Sequence, residues 1–308
     1  MTKTEHTAVI GAGLAGLTCA RALADAGHSV VVFDKGRGLG GRMASRRKEG
    51  WRFDHGAVAL RATSDSFAAF LTSVQAERWE AANGFTGMPG ISSLVKSLAQ
   101  GLKIVGSQRV TGLEKTQAGW SVQGPEDSAG LIFDRVILAI PQPQAQALLT
   151  PWPALSAQIA GVKMHPCWTL MTGFDTALAT DIGYRDTCTG PISVIARETA
   201  KPGRSLPGDG WVIQANAEWT SAHLEDDPAQ IEALLLAAFF KSIDCDPIAP
   251  VIAMAHRWLY ALTATPLGRS HILDAELGLA LCGDWCLGNT AQAAFESGRN
   301  LAADIIAS

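Results

Sequence analysis

The chain has 308 residues, 47% of them hydrophobic and 18% charged, and its formal net charge is −4. That length supports one large or two closely associated domains with a substantial core. The weak acidity excludes an extended basic face for nucleic acid or anionic lipid; Arg46-Arg47-Lys48 is the one tight basic cluster and reads as a solvated loop or a minor aid to phosphate binding.

No secretory leader is expected, because polar-leaning residues run straight into an apolar segment. The longest apolar stretch, residues 233–240, is far too short for a bilayer, which needs about 20 residues. The cysteines (Cys19, Cys167, Cys188, Cys245, Cys282, Cys286) show no paired spacing. They read as core or incidental thiols in a reducing cytoplasm, with no metal site.

Residues 7–10 form a short apolar run, followed by Gly11-Ala12-Gly13-Leu14-Ala15-Gly16 and an Ala/Leu-rich helical stretch over 14–26 that Gly27 ends. A second apolar run, 29–33, closes on Asp34. This is a dinucleotide-binding fingerprint. Gly11 permits a tight strand-to-helix turn, Gly13 lets a pyrophosphate approach the backbone, and Gly16 lets the helix pack on the strand. The unpaired N–H groups and positive end of the helix favour phosphate, and Asp34 is placed to accept bonds from an adenosine ribose. By itself the fingerprint does not separate NAD from FAD. Gly38-Leu39-Gly40-Gly41-Arg42-Met43 does: a second glycine cluster so close by implies another backbone crossing near the pyrophosphate, with the Arg42 guanidinium against it.

Further along, 51–60 reads as a strand with a glycine kink, 64–82 and 91–100 as helices, and 103–105, 108–115 and 119–122 as a small meander. Residues 135–140 suit a strand buried on both faces. The Trp-rich middle alternates over 167–174 and 211–219 and has a helical pattern over 228–243, which reads as an antiparallel sheet with a covering helix. Such an insertion usually roofs a substrate cavity. The final segment returns a strand over 277–282, then Gly283-Asp284, and a helix over 290–307 whose start can stabilise negative charge on a reduced flavin.

These motifs together resemble the bacterial renalase-like flavoproteins of the flavin amine-oxidase superfamily. The matching stretches are 9–17, 31–43, 54–57, 88–94, 109–122, 161–168, 256–261 and 281–287, with His256-Arg257-Trp258-Leu259-Tyr260-Ala261 and Cys282-Gly283-Asp284-Trp285-Cys286-Leu287 the most telling. The resemblance implies an α/β (α+β overall) fold, like that of p-hydroxybenzoate hydroxylase: a Rossmann-like FAD-binding domain with an inserted, mainly antiparallel β substrate domain. The expected division is 1–60, 86–145 and 265–308 for FAD, and 61–85 and 146–264 for substrate.

It also implies noncovalent FAD, lined by Gly11, Gly13, Leu14, Ala15, Gly16, Asp34, Lys35, Gly41, Arg42, Met43, Ala57, Val58, Val110 (through its backbone), Gly283, Asp284, Thr290 and Ala291. The implied activity is oxidation of isomeric dihydro-NAD(P), with oxygen as final acceptor. The partner is then a small molecule, possibly a dinucleotide, with no nucleic acid and no membrane; the oligomeric state is left open.

Hydride delivery to flavin N5 from a stacked dihydropyridine needs no side-chain base, so no catalytic residue is assigned. Candidate substrate contacts are His55, Ala59, His165, Trp168, His256, Trp258, Tyr260 and Asn289. Two departures from the relatives bear on substrate: Val58 and Ala59 replace a Gln and an aromatic, and 77–87 is short. A flavin-containing amine oxidase is one alternative, although the aromatic position of that family is Asn289 here. A non-catalytic or redox-sensing flavoprotein is another.

Overall fold

In the computed structural model, residues 5–128 and 130–308 are described. They form two compact units, Met1–Gly41 with Val95–Met164 and Thr263–Ser308, and Arg42–Leu94 with His165–Leu262.

The first unit is built on a six-stranded sheet in the order Ile272–Asp274, Leu279–Leu281, Arg135–Leu138, His6–Ile10, Ser29–Phe33, Lys103–Val105. All neighbours run parallel except the edge strand Ile272–Asp274. The central strands are unbroken apolar runs because both faces are covered. On one face Ile10, Phe33, Val136 and Leu138 pack with Leu148, Leu149, Leu155 and Ile159 from the helices Gln142–Leu148 and Pro153–Ile159 and their ends. The helix Leu14–Asp25 links the first two strands, and Gly27, at φ +93°, ends it. The C-terminal helix Ala291–Ala307 lies on it so closely that a Cβ at Gly298 would stand 2.1 Å from the Ala15 carbonyl oxygen.

The second unit holds a five-stranded sheet in the order Tyr184–Arg185, Ile192–Arg197, Asp209–Ala215, Lys163–Phe174, Ile252–Thr265. The helix Pro228–Ile243 covers one face. Asp227 caps it through Ala229 N at 2.8 Å, and its stripe Ile231, Leu235, Phe239, Phe240 and Ile243 meets Trp168, Leu170, Trp211 and Ile213. Against the other face lies the hairpin Ser45–Lys48 with Trp51–Asp54, whose Trp51 and Phe53 pack with Val58, Trp79, Met171 and Val212. Gly173 lies directly under Trp51: a Cβ there would be 2.5 Å from the indole.

This mixed α/β architecture is the expected fold class. The compact units divide the chain elsewhere than the sequence reading does, for packing reasons. Residues 42–60 join the second unit because Trp51 and Phe53 belong to its core; 146–164 join the first because Leu148, Leu155 and Ile159 belong to that one.

Several expected elements are shorter. The helix over 64–82 ends at Ser73, because Gln75 takes a left-handed backbone (φ +55°) and Glu77–Trp79 pairs with Gly84–Thr86 around Asn83 (φ +46°). Residues 91–100 hold only a 3-10 turn, Ile91–Val95. The strand over 51–60 stops at Asp54. Lys103–Val105 is not part of a meander but the parallel edge of the main sheet, and Trp219 lies in a short helix rather than a strand.

Candidate active site

In the first unit the fingerprint builds a tight glycine turn that leaves Gly13 open. Gly11 sits at φ +113°, where a Cβ would meet the Ala139 carbonyl oxygen at 2.4 Å, and one at Gly16 would meet the Gly11 carbonyl oxygen at 2.0 Å. Both glycines are therefore required by the fold itself. Gly13 is different: nothing lies within 4 Å of the position its Cβ would occupy. It is the N-cap of the helix Leu14–Asp25, with no side-chain cap and no acidic residue in the first turn. The orphan N–H groups there are left for an anion.

Asp34 is committed in a way the sequence does not reveal. Its two carboxylate oxygens accept Ala12 N and Gly36 N, each at 2.6 Å, tying the glycine turn to the end of the second strand. A carboxylate has about four lone-pair sites, so ribose hydroxyls can still be accepted. Gly40 N donates to the Ala12 carbonyl at 2.8 Å, and Gly41 closes on Gly13. Lys35 has its pKa lowered by partial burial and then by Arg109, with Asp34 opposing. Leu14 and Ala15 are buried, Ala15 against Gly298, and Val110 lies half-buried on the core.

At the far end of the chain, Asp284 is buried and its Oδ2 accepts Thr263 Oγ1 at 3.3 Å. Gly283 N donates to Ser297 Oγ at 2.9 Å, and Trp285 Nε1 donates to the Ile140 carbonyl at 3.0 Å, anchoring the turn to the strand bundle. Thr290 caps the last helix through Ala293 N at 3.1 Å, followed by Ala291, and Asn289 is exposed.

The residues after Gly41 belong to the second unit. Arg42 donates from Nη1 to the Ala261 carbonyl at 3.1 Å, and its own carbonyl accepts Ala57 N at 2.8 Å. Gly56 permits this, since a Cβ there would stand 1.9 Å from the Arg42 carbonyl oxygen. Met43 and Val58 are buried, and Val58 packs in the core with Ala59 against it.

His256, Trp258 and Tyr260 alternate along one strand and so share a face. His55, His256 and Trp258 form an aromatic cluster with ring centroids 4.6–5.1 Å apart, and Trp258 Nε1 donates to the His55 carbonyl at 2.9 Å. Burial first, then His256 and Arg46, lower the His55 pKa from 6.5 to about 4. Burial and Arg46 likewise lower His256. Both rings are neutral near pH 7, and the buried His55 Nδ1 has no hydrogen-bond partner.

Two expected contacts lie elsewhere. Trp168 belongs to the core under the covering helix and donates to the His223 carbonyl at 2.9 Å; His165 is exposed.

A depressed histidine pKa has a definite sign. The unfolded chain binds the proton more readily, so the His55 contribution is fully present above pH 6.5 and is lost as pH falls toward about 4. Its size is roughly 3 kcal/mol. Urea unfolding of the wild type should weaken across that window, and His55→Gln should flatten the dependence. An identical pH profile in the variant would remove His55 as the cause.

Beside this cluster lies a group of residues that the sequence reading missed. Asp54, Glu198, Lys201 and Arg204 have side chains no more than 1% exposed. Lys201 Nζ bonds Asp54 Oδ2 at 3.0 Å and Glu198 Oε1 at 2.6 Å, and Arg204 Nη2 bonds Asp54 and lies 3.4 Å from Glu198 Oε2. Ser45 Oγ and Ile91 N complete Asp54 at 2.6 and 3.0 Å. Burial pushes both acids up. For Asp54 the two cations and these hydrogen bonds win and hold it below its ordinary value; for Glu198, which also faces Asp54, burial wins and the pKa rises. The network pins the loop carrying His55 and Gly56. Its only trace in the sequence is the three-residue spacing of Glu198, Lys201 and Arg204.

The parallel sheet and its glycine cradle define a dinucleotide-binding Rossmann-like fold, and residues 9–74 match the NAD(P)-binding Rossmann-like domain. Residues 79–306 match the flavin containing amine oxidoreductase family. The chain belongs to that family, and FAD is accordingly its cofactor.

Among curated relatives, an L-amino-acid oxidase of Siganus canaliculatus is 39% identical over 69 residues, which are 22% of this chain but 13% of that one. A 4,4'-diapophytoene desaturase of Staphylococcus aureus is 49% identical over 53 residues, 17% and 11% of the two chains. The matched stretches thus span a small part of either relative. Cyclohexylamine oxidase from Brevibacterium oxydans IH-35A shares the fold, with a TM-score of 0.73 over 99% of both chains at 14% identity. Among the described residues, no helix is long and apolar enough to cross a membrane.

Proposed function

We propose that this chain is a renalase-like oxidase that takes a hydride from a dihydropyridine nucleotide, an isomeric dihydro-NAD(P), and passes the electrons to oxygen. The FAD would be held noncovalently by the Gly13 cradle, Asp34 and the Gly283–Asp284 turn. When bound, it supplies a two-electron hydride acceptor.

The carrying observation is the His55–His256–Trp258 cluster. It is an uncharged aromatic cluster of tilted and edge-on rings with a buried, unpartnered imidazole nitrogen, and no carboxylate or ammonium in it would act as an acid or base. A dihydropyridine already carries a transferable hydride pushed by its ring nitrogen. The protein then has to orient the ring, donate or accept one hydrogen bond and exclude water.

An amine substrate held between two tyrosines fits less well. The only tyrosines are Tyr184 and Tyr260, and they occupy opposite edge strands of the five-stranded sheet. Four strand spacings separate those edges, roughly 19 Å. Tyr184 instead packs on Trp79 at 5.5 Å. Six free cysteines suit a reducing cytoplasm, and burial raises the thiols of Cys167 and Cys286.

Oxygen uptake measured with isomerised NADH, ordinary NADH and benzylamine tests the reading. Turnover only with the isomerised mixture is expected; turnover with benzylamine alone would transfer the chain to the amine oxidases.

A further inference from the structure

The hairpin Ser45–Lys48 with Trp51–Asp54 carries an arrangement that flavin chemistry leaves unused. Its register sets Arg47 directly opposite Arg52. Opposed residues in an antiparallel pair share one face with Cβ atoms about 5 Å apart, and like charges there repel. Neither arginine makes an ion pair among the described residues. On the same face is Asp54, which brings in Arg204. That guanidinium uses Nη2 on the two buried acids, while its buried Nε and Nη1 have no hydrogen-bond partner.

The three arginines line one cavity of about 630 Å³, with Lys48 and Glu49 on its rim. Those two lie 3.8 Å apart and largely cancel. Arg52 is held below its ordinary pKa by burial, then by Arg204 and Arg47, with Asp54 and Glu198 opposing only in part. Such a cluster is unfavourable in an empty protein and favourable around a multivalent anion. Planar guanidinium forks match phosphate oxygens two at a time, and the volume falls in the range of small-ligand sites, about 300–1,000 Å³.

We propose that this cavity binds a phosphate-bearing ligand, a diphosphate or a nucleotide phosphate, through Arg47, Arg52 and Arg204. The site shares no residue with the Gly11–Gly16 turn and does not depend on the substrate proposed above. Its cost is visible in the opposed arginines, and stability spent on a like-charge pair is a common signature of a binding function.

Calorimetric titration of the FAD-loaded protein with pyrophosphate, ADP and inorganic phosphate, at ionic strength fixed with chloride, tests this. Saturable binding of pyrophosphate or ADP at one equivalent is expected. Arg47→Ala or Arg52→Ala should weaken it at least about tenfold, with flavin content and spectrum unchanged. Tighter binding of ADP identifies a nucleotide as the ligand; equal affinities identify the phosphate group alone. Without ligand, Arg52→Gln should melt no lower than wild type, because it removes a repulsion. Absence of saturable binding, or wild-type affinity in the Arg47→Ala, Arg52→Ala double variant, would overturn the proposal.

Discussion

Gly13→Val is expected to yield a folded protein that no longer loads flavin. Gly13 has φ −78° and ψ 178°, which valine adopts readily, and no protein atom lies within 4 Å of its Cβ position. The space a valine would fill is open, and on the proposed placement the pyrophosphate would approach the orphan N–H groups of the helix there. We expect at least a ~100-fold loss of FAD affinity, about 2.7 kcal/mol, against a fold cost on the order of 1 kcal/mol for a poorer N-cap. Gly16→Val provides the contrast: its Cβ would meet the Gly11 carbonyl oxygen at 2.0 Å, so the turn itself fails. The ratio of oxidised-flavin to protein absorbance after purification reads the difference. A wild-type ratio for Gly13→Val in a folded protein would mean that the cofactor does not pass this glycine.

The second large effect is expected at Lys201. Its ammonium is fully buried between Asp54 and Glu198. Lys201→Met leaves two buried carboxylates sharing one guanidinium, and breaking a buried pair in this way costs about 3–5 kcal/mol. Much of that cost comes from the stranded charge rather than from the lost bond. Adding Glu198→Gln to Lys201→Met should therefore recover a substantial part of the loss, a coupling that a double-mutant cycle measures directly. Urea midpoints of the four proteins suffice. A single-variant loss under about 1 kcal/mol, or strict additivity, would show that the four charges are not acting as one network.

The fold was most legible where its demands are local. Gly11, Gly16 and Gly27 each answer to one backbone torsion or one close approach, so the glycine spacing announced the parallel sheet and the cradle. The helix Pro228–Ile243 was equally plain, because Asp227, Pro228 and the apolar stripe agree. The helical reading fails over residues 74–82 because Gln75 adopts a left-handed backbone with no glycine to mark it, and the chain turns back as a strand that pairs around Asn83.

The candidate site divides along the same line. His55 and His256 stood out as residues, yet their meeting depends on strand alternation and on pairings across about 200 positions. The ion network around Asp54 was invisible, since its partners lie 144–150 residues away. Asp34 shows a third outcome: the sequence suggests a ribose acceptor, and the structure adds the work of holding Ala12 and Gly36 in position.

The central claim is that the electrons entering the flavin come from a dihydropyridine. Anaerobic mixing of the purified, FAD-loaded protein with alkali-isomerised NADH, ordinary NADH or benzylamine, followed by loss of the oxidised-flavin absorption, tests it most directly. Rapid bleaching by the isomerised mixture alone is the predicted result. Rapid bleaching by benzylamine, or none by any of the three, would contradict it.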